Sequence, residues 1–269
     1  MSLNRHSPAL IEQGWIRAII LVIVYTGLSL LWGYYVWSPE LWFTVSFVLS
    51  FLLVFLFRKV LDRRSFESLG FNPAHFYPDA VIGFAIGTFL VCIGALALYY
   101  LNYLRWLDVV YESSDFFISL AVLAMIAFSE ELIFRGYVLR NLMKSFGKWT
   151  ALVISAVLFS IVHYSNLGIP ALGLINTLLG GLVLGITYIV TRSLWMPIFL
   201  HLSWNFIQGP VLGFRVSGLT FESVLSIESS GPALLTGGAY GFEGSVVCTI
   251  ILALAFVAGC YLESSKTYE

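Results

Sequence analysis

The sequence predicts an all-α, polytopic membrane protein of about eight transmembrane helices, with a site in a cavity between the central ones. Three observations predict it. Of 269 residues, 59% are hydrophobic and only 11% are charged, whereas a soluble domain carries about a quarter charged residues. The apolar residues fall in runs that approach or exceed the ~20 residues needed to cross a bilayer. Lys and Arg gather at alternate ends of these runs. The net charge of −1 argues against a nucleic-acid partner. Cys92, Cys248 and Cys260 lie in apolar runs without CxxC spacing, which makes them packing residues.

Residues 1–14 read as a short polar arm. The first span, 16–37, closes on Trp32, Tyr34, Tyr35 and Trp37, an interfacial aromatic belt. It is too long for a cleaved leader. A Ser38-Pro39-Glu40 turn leads to the second span, 41–57, which stops at Arg58 and Lys59 with Arg63 and Arg64 behind. Residues 62–79 read as a polar connector broken by Gly70, Asn72-Pro73 and Pro78. The third span, 80–104, carries Gly83, Gly87 and Gly94, which permit close helix packing. Asp108, Glu112 and Asp115 make the next loop acidic. The fourth span, 116–143, is longer than a bilayer requires. Lys148 opens the fifth, which ends near Tyr164, and Pro170 opens the sixth, which ends at Thr191-Arg192 and carries Gly173, Gly180, Gly181 and Gly185 as a second close-packing face. The seventh, 194–208, is short. A Gly-rich extracytoplasmic loop fills 209–244, and the eighth span runs over 245–261. No strand pattern, repeat or second domain is visible, so 1–269 reads as one integral membrane domain. The C-terminal residues carry no lipidation signal.

With the N-terminus inside and the spans alternating, eleven Lys and Arg fall on the cytoplasmic side and only Arg105 and Arg215 outside, with Arg135 left in the membrane. The positive-inside rule therefore puts both termini in the cytoplasm. A bacterial plasma membrane is the default location.

Ionisable groups at membrane depth are expensive and mark functional sites. Glu130, Glu131 and Arg135 sit on the fourth span, His163 on the fifth, and His201 and Asn205 on the seventh. Residues four apart share a helix face, so Glu131 and Arg135 pair, with the acid N-terminal. Glu130 points about 100° away and is the free carboxylate, suited to act as a general base. His201 and Asn205, also four apart, offer two donors side by side, as an oxyanion site requires. At ~1.5 Å per residue, Glu130 and His163 lie ~20 Å from the cytoplasmic helix ends and His201 ~10 Å, so the spacing alone does not bring them together.

Three motifs carry a resemblance. Glu130-Glu131-Leu132-Ile133-Phe134-Arg135 is similar to the EExxxR motif of the CAAX protease and bacteriocin-processing family of intramembrane endopeptidases. Phe159 to His163 matches its FxxxH motif, and His201 to Asn205 its HxxxN motif, all in family order. The resemblance covers roughly 115–208, which would be the catalytic core. It implies a glutamate-dependent peptidase of the type II CAAX prenyl endopeptidase class. Glu130 would activate water with help from His163, His201 and Asn205 would hold the oxyanion, and Glu131, Arg135 and Phe159 would support the site. The implied substrate is a membrane-associated protein or peptide, prenylated or not. Loop 209–244 is no part of the shared core and reads either as a cap on the cavity or as a passive connector.

No cofactor is expected. Zinc held by His163, His201 and a Glu is the alternative, but the chain has no HExxH pairing. Two other functions stay open: a non-proteolytic scaffold or immunity-type binding protein, and a proton-coupled transporter using Glu130 and the histidines as a relay. Against the transporter, the chain shows no internal repeat.

Overall fold

The computed structural model describes residues 8–36, 38–110 and 112–266. Arg5, Trp37, most of the N-terminal arm and residues 267–269 lie outside the described residues. The chain is an all-α polytopic membrane protein. Its helices are α1 (Gly14–Tyr35), α2 (Pro39–Val60), α3 (Pro73–Tyr100), α4 (Ser113–Glu131), α5 (Arg140–Ser145), α6 (Lys148–Val162), α7 (Ala171–Thr191), α8 (Trp195–Phe206), the short α9 (Ala233–Thr236) and α10 (Val246–Ser265). A π-helical segment, Leu132–Leu139, joins α4 to α5 without a break, and a second, Ile207–Val211, extends α8.

Seven helical stretches among the described residues are long and apolar enough to cross a membrane. The expected seventh span, α8, is the exception. Its twelve residues and the five of its π extension together reach about 25 Å at ~1.5 Å per residue, still short of a ~30 Å hydrocarbon core. It instead forms the buried centre of the bundle. Pro197, Leu200 and every residue from His201 to Phe206 are buried, packed against α3, α4 and α7. The α3 contact is close because a Cβ at Gly83 would lie 2.6 Å from the Met196 carbonyl oxygen, and one at Gly87 would lie 2.5 Å from that of Leu200. Gly181 and Gly185 of α7 meet α6 in the same way, but Gly180 does not. It faces open space.

Two expectations need correction. Asn72-Pro73 is a helix start, not a break. The Asn72 Oδ1 accepts from the Ala74 N–H at 3.0 Å, Pro73 takes the first helical position, and α3 runs on through Pro78. The chain also contains a small sheet. Strand β1 (Leu104–Val109) pairs antiparallel with β2 (Leu225–Ser229), Trp106 opposite Ile227, with an irregularity before Val109. Neither strand alternates cleanly, and more than a hundred residues separate them, so no local turn announces the pairing.

At the opposite end of the bundle, Arg17 and Arg58 are buried charges, not free surface ones. Both pair with the buried Asp62, Arg17 Nε at 2.9 Å from Oδ1. The Tyr137 hydroxyl and the Asn141 amide donate to the same carboxylate at 3.4 and 3.5 Å. Asn141 Oδ1 accepts in turn from Arg17 Nη2 at 2.8 Å. This network fastens α1 and α2 to the segment after α4.

Candidate active site

The site begins where α4 passes into its π segment. The Glu131 side chain is fully buried, and its Oε1 accepts from Arg135 Nη1 at 2.7 Å. The same oxygen lies 3.0 Å from His201 Nδ1 on α8. Arg135 is fully buried as well. Its Nη2 donates to the Gly181 carbonyl of α7 at 3.2 Å, and its guanidinium lies 4.3 Å above the centroid of the Phe159 ring. A charge taken out of lipid and water must be paired and hydrogen-bonded. Here a carboxylate, a carbonyl and an aromatic face share that task.

Glu130, one residue earlier, turns to a different side. Its side chain is 25% exposed, and its Oε2 lies 3.6 Å from His163 Nε2 and 3.9 Å from His201 Nε2. That oxygen makes no hydrogen bond. Three side chains, from α4, from the turn that directly follows α6 and from α8, thus converge on one point without being tied to one another there. The helix-count expectation of a ~10 Å difference in depth, at ~1.5 Å per residue, does not keep these side chains apart: Glu130 Oε2 reaches both histidines. The start of α8 is held by the buried Leu194, whose N–H donates to the Gly70 carbonyl at 3.1 Å.

The proton positions follow from the partners. His163 Nδ1 is 2.7 Å from the Phe159 carbonyl oxygen. A carbonyl only accepts, so Nδ1 carries the hydrogen and Nε2 faces Glu130. His201 is fixed likewise by the Glu131 carboxylate. Phe159 walls both rings, its centroid 4.4 Å from that of His163 and 6.4 Å from that of His201. Asn205, one turn beyond His201, is buried and lines the same space.

That space is a cavity of about 490 Å³ lined by Glu130, His163, His201 and Asn205. Its outer walls are the α1–α2 turn, the turn after α6 and residues 216–221 of the Gly-rich loop. A smaller cavity of about 70 Å³ adjoins it behind His163, His201 and Asn205, and there Gly180 supplies the open space noted above. Among the described residues, no three of His, Cys, Asp and Glu are grouped so as to hold a metal ion.

Sequence reasoning missed Glu243 and Ser217, which line the smaller cavity. Glu243 Oε2 accepts from the Ser217 N–H at 2.6 Å and its hydroxyl at 3.1 Å, and Oε1 accepts from Trp204 Nε1 at 3.2 Å. Trp204 is the neighbour of Asn205. The signal was the glycine density around Glu243. Gly237 and Gly241 have φ of 84° and 96°, and a Cβ on Gly237 would lie 1.7 Å from the Gly241 carbonyl oxygen. The glycines make a knot tight enough to lay Glu243 on α8. Burial and the neighbouring Glu243 push the Tyr240 hydroxyl up to about 12. It remains protonated, 3.5 Å from the Asn166 amide that donates to it.

No curated protein and no solved structure matches the chain. Residues 112–207 match the family model described as type II CAAX prenyl endopeptidase Rce1-like. All three motifs, from Glu130 to Asn205, fall inside that stretch, which is the part of the chain that is similar to this family.

Proposed function

We propose that the chain is an intramembrane endopeptidase that hydrolyses a peptide bond with water activated by Glu130. The observation that carries this reading is the convergence of the unbonded Glu130 Oε2 with His163 Nε2 and His201 Nε2 on the wall of a cavity. The match to a CAAX prenyl endopeptidase family supports the reaction class. In this reading Glu130 removes a proton from a water molecule held against His163, and the oxygen adds to the peptide carbonyl carbon. The oxyanion that forms is met by His201 Nε2–H and the Asn205 amide. This role needs protons on both nitrogens of His201, and Glu130 and Glu131 lie close enough to balance that charge. Glu130 then gives its proton to the leaving nitrogen as the C–N bond breaks, releasing an amine and a carboxylate. Glu131 and Arg135 keep His201 in place.

The test uses purified protein in liposomes with prenylated and unprenylated reporter peptides. Cleavage by the wild type that persists in chelator and disappears in Glu130→Ala supports the proposal. Loss of at least about 10²-fold is expected, the lower range for a general base. Cleavage that chelator abolishes would replace it with a metal mechanism, and cleavage undiminished in Glu130→Ala would remove the glutamate from the chemistry.

A further inference from the structure

We infer that the cavity opens on the membrane face opposite the cytoplasm. It would therefore receive an exported or membrane-inserted peptide segment, not a cytosolic prenylated C-terminus. The substrate part of this inference rests on the peptidase reading. The orientation does not.

The cavity walls identify one end of the bundle. Ser38 and Pro39 follow the end of α1, Ser165 to Leu167 follow the end of α6, and Val216 to Phe221 belong to the loop after α8. Strand β1, which follows the end of α3, pairs with β2 of that same loop. The other end is closed by contacts that do not involve the cavity. The Trp15 N–H donates to Ser145 Oγ, Arg17 pairs with Asp62, Leu194 bonds to Gly70, and Lys148 pairs with Glu263.

Charge separates the two ends. Among the described residues the cavity end carries only two bases, Arg105 and Arg215, against seven acids, which include Glu40, Asp108, Glu112, Glu222 and Glu243. The closed end carries ten bases. Eight of them remain when Arg17 and Arg58, buried on Asp62, are set aside. The positive-inside rule places the base-rich end in the cytoplasm, so Glu130 is reached from the other side. The entry is lined by Trp42, Phe43, Leu219 and Phe221, at the end of the bundle where acids outnumber bases. Such an entry fits a peptide with apolar side chains and flanking basic residues.

Single cysteines test the orientation without any assay of activity. Leu167→Cys marks the cavity end, where Leu167 is 88% exposed, and Arg64→Cys marks the closed end. Each is placed in a chain with Cys92, Cys248 and Cys260 changed to Ala. If that chain does not fold, each is placed in the wild type, whose own labelling is subtracted. A membrane-impermeant maleimide applied to intact bacterial cells is expected to label Leu167→Cys and to leave Arg64→Cys unlabelled until the cells are lysed. The reverse pattern, or labelling of both in intact cells, overturns the inference. A second arm adds an impermeant basic and apolar reporter peptide outside right-side-out vesicles, with Glu130→Ala beside the wild type. Glutamate-dependent cleavage in sealed vesicles is expected. Cleavage only after the vesicles are opened overturns the substrate assignment. Absence of cleavage in both states counts against the peptidase reading and leaves the orientation to the labelling.

Discussion

At the residue scale, two adjacent glutamates of one helix have opposite circumstances. Glu131 is buried and paired, while Glu130 is free at Oε2 and faces the cavity. Removing the paired one should harm the fold as well as the chemistry. Glu131→Ala strands Arg135 in the bundle and frees His201 to turn, so a stability loss of roughly 3–5 kcal/mol is expected, the range for breaking a buried pair. A lowered melting temperature in detergent, against an unchanged one for Glu130→Gln, would show the division. Equal melting of the two variants would refute it. The pairing of Glu131 with Arg135 was legible from four-residue spacing. The bond from His201 to Glu131, seventy residues apart in the chain, was not, because no local pattern encodes which helix lies beside which.

At the scale of elements, the Gly-rich loop is the part whose chemistry the sequence hid most. It was legible as a loop, but the carboxylate it delivers was not, since Glu243 gains meaning only from Ser217 and Trp204. Glu243→Gln keeps the volume but leaves one acceptor oxygen where two served, so either the Trp204 Nε1–H or the Ser217 N–H loses its acceptor. Losing a hydrogen bond to a charged group is worth about 1.5–3 kcal/mol, so a KM increase of about tenfold or more is expected, with kcat little changed. Peptide kinetics would check this, and a fall in kcat alone would assign Glu243 to the reaction instead. Helix α8 was placed correctly but taken for a span. Its apolar composition suits a protein core as well as lipid, and only its length, twelve residues with a five-residue π extension, distinguishes the two. The small sheet escaped notice because its strands lack alternation and meet through tertiary packing alone.

At the scale of the whole molecule, charge bias and apolar runs made the membrane fold readable, because lipid imposes those constraints on any chain that crosses it. Nothing marked Asp62 in advance. Its role depends on Arg17 and Arg58, which as sequence look like two more cytoplasmic bases. Asp62→Ala leaves two buried guanidinium groups without their carboxylate, and a loss of roughly 3–5 kcal/mol is expected. Thermal melting of the variant would check it, and unchanged melting would show the network to be dispensable. One continuous helical rod, from Ser113 to Ser145, touches both buried charge networks, Glu131 before its π segment and Tyr137 and Asn141 within and after it. A π turn holds one residue more than an α turn, and each residue is about 100° of azimuth. The segment therefore sets the angular phase between the glutamates and the Asp62 anchor. A change of register there would reach Glu130 as torsion, aiming its carboxylate toward or away from the histidines without moving it along the membrane normal.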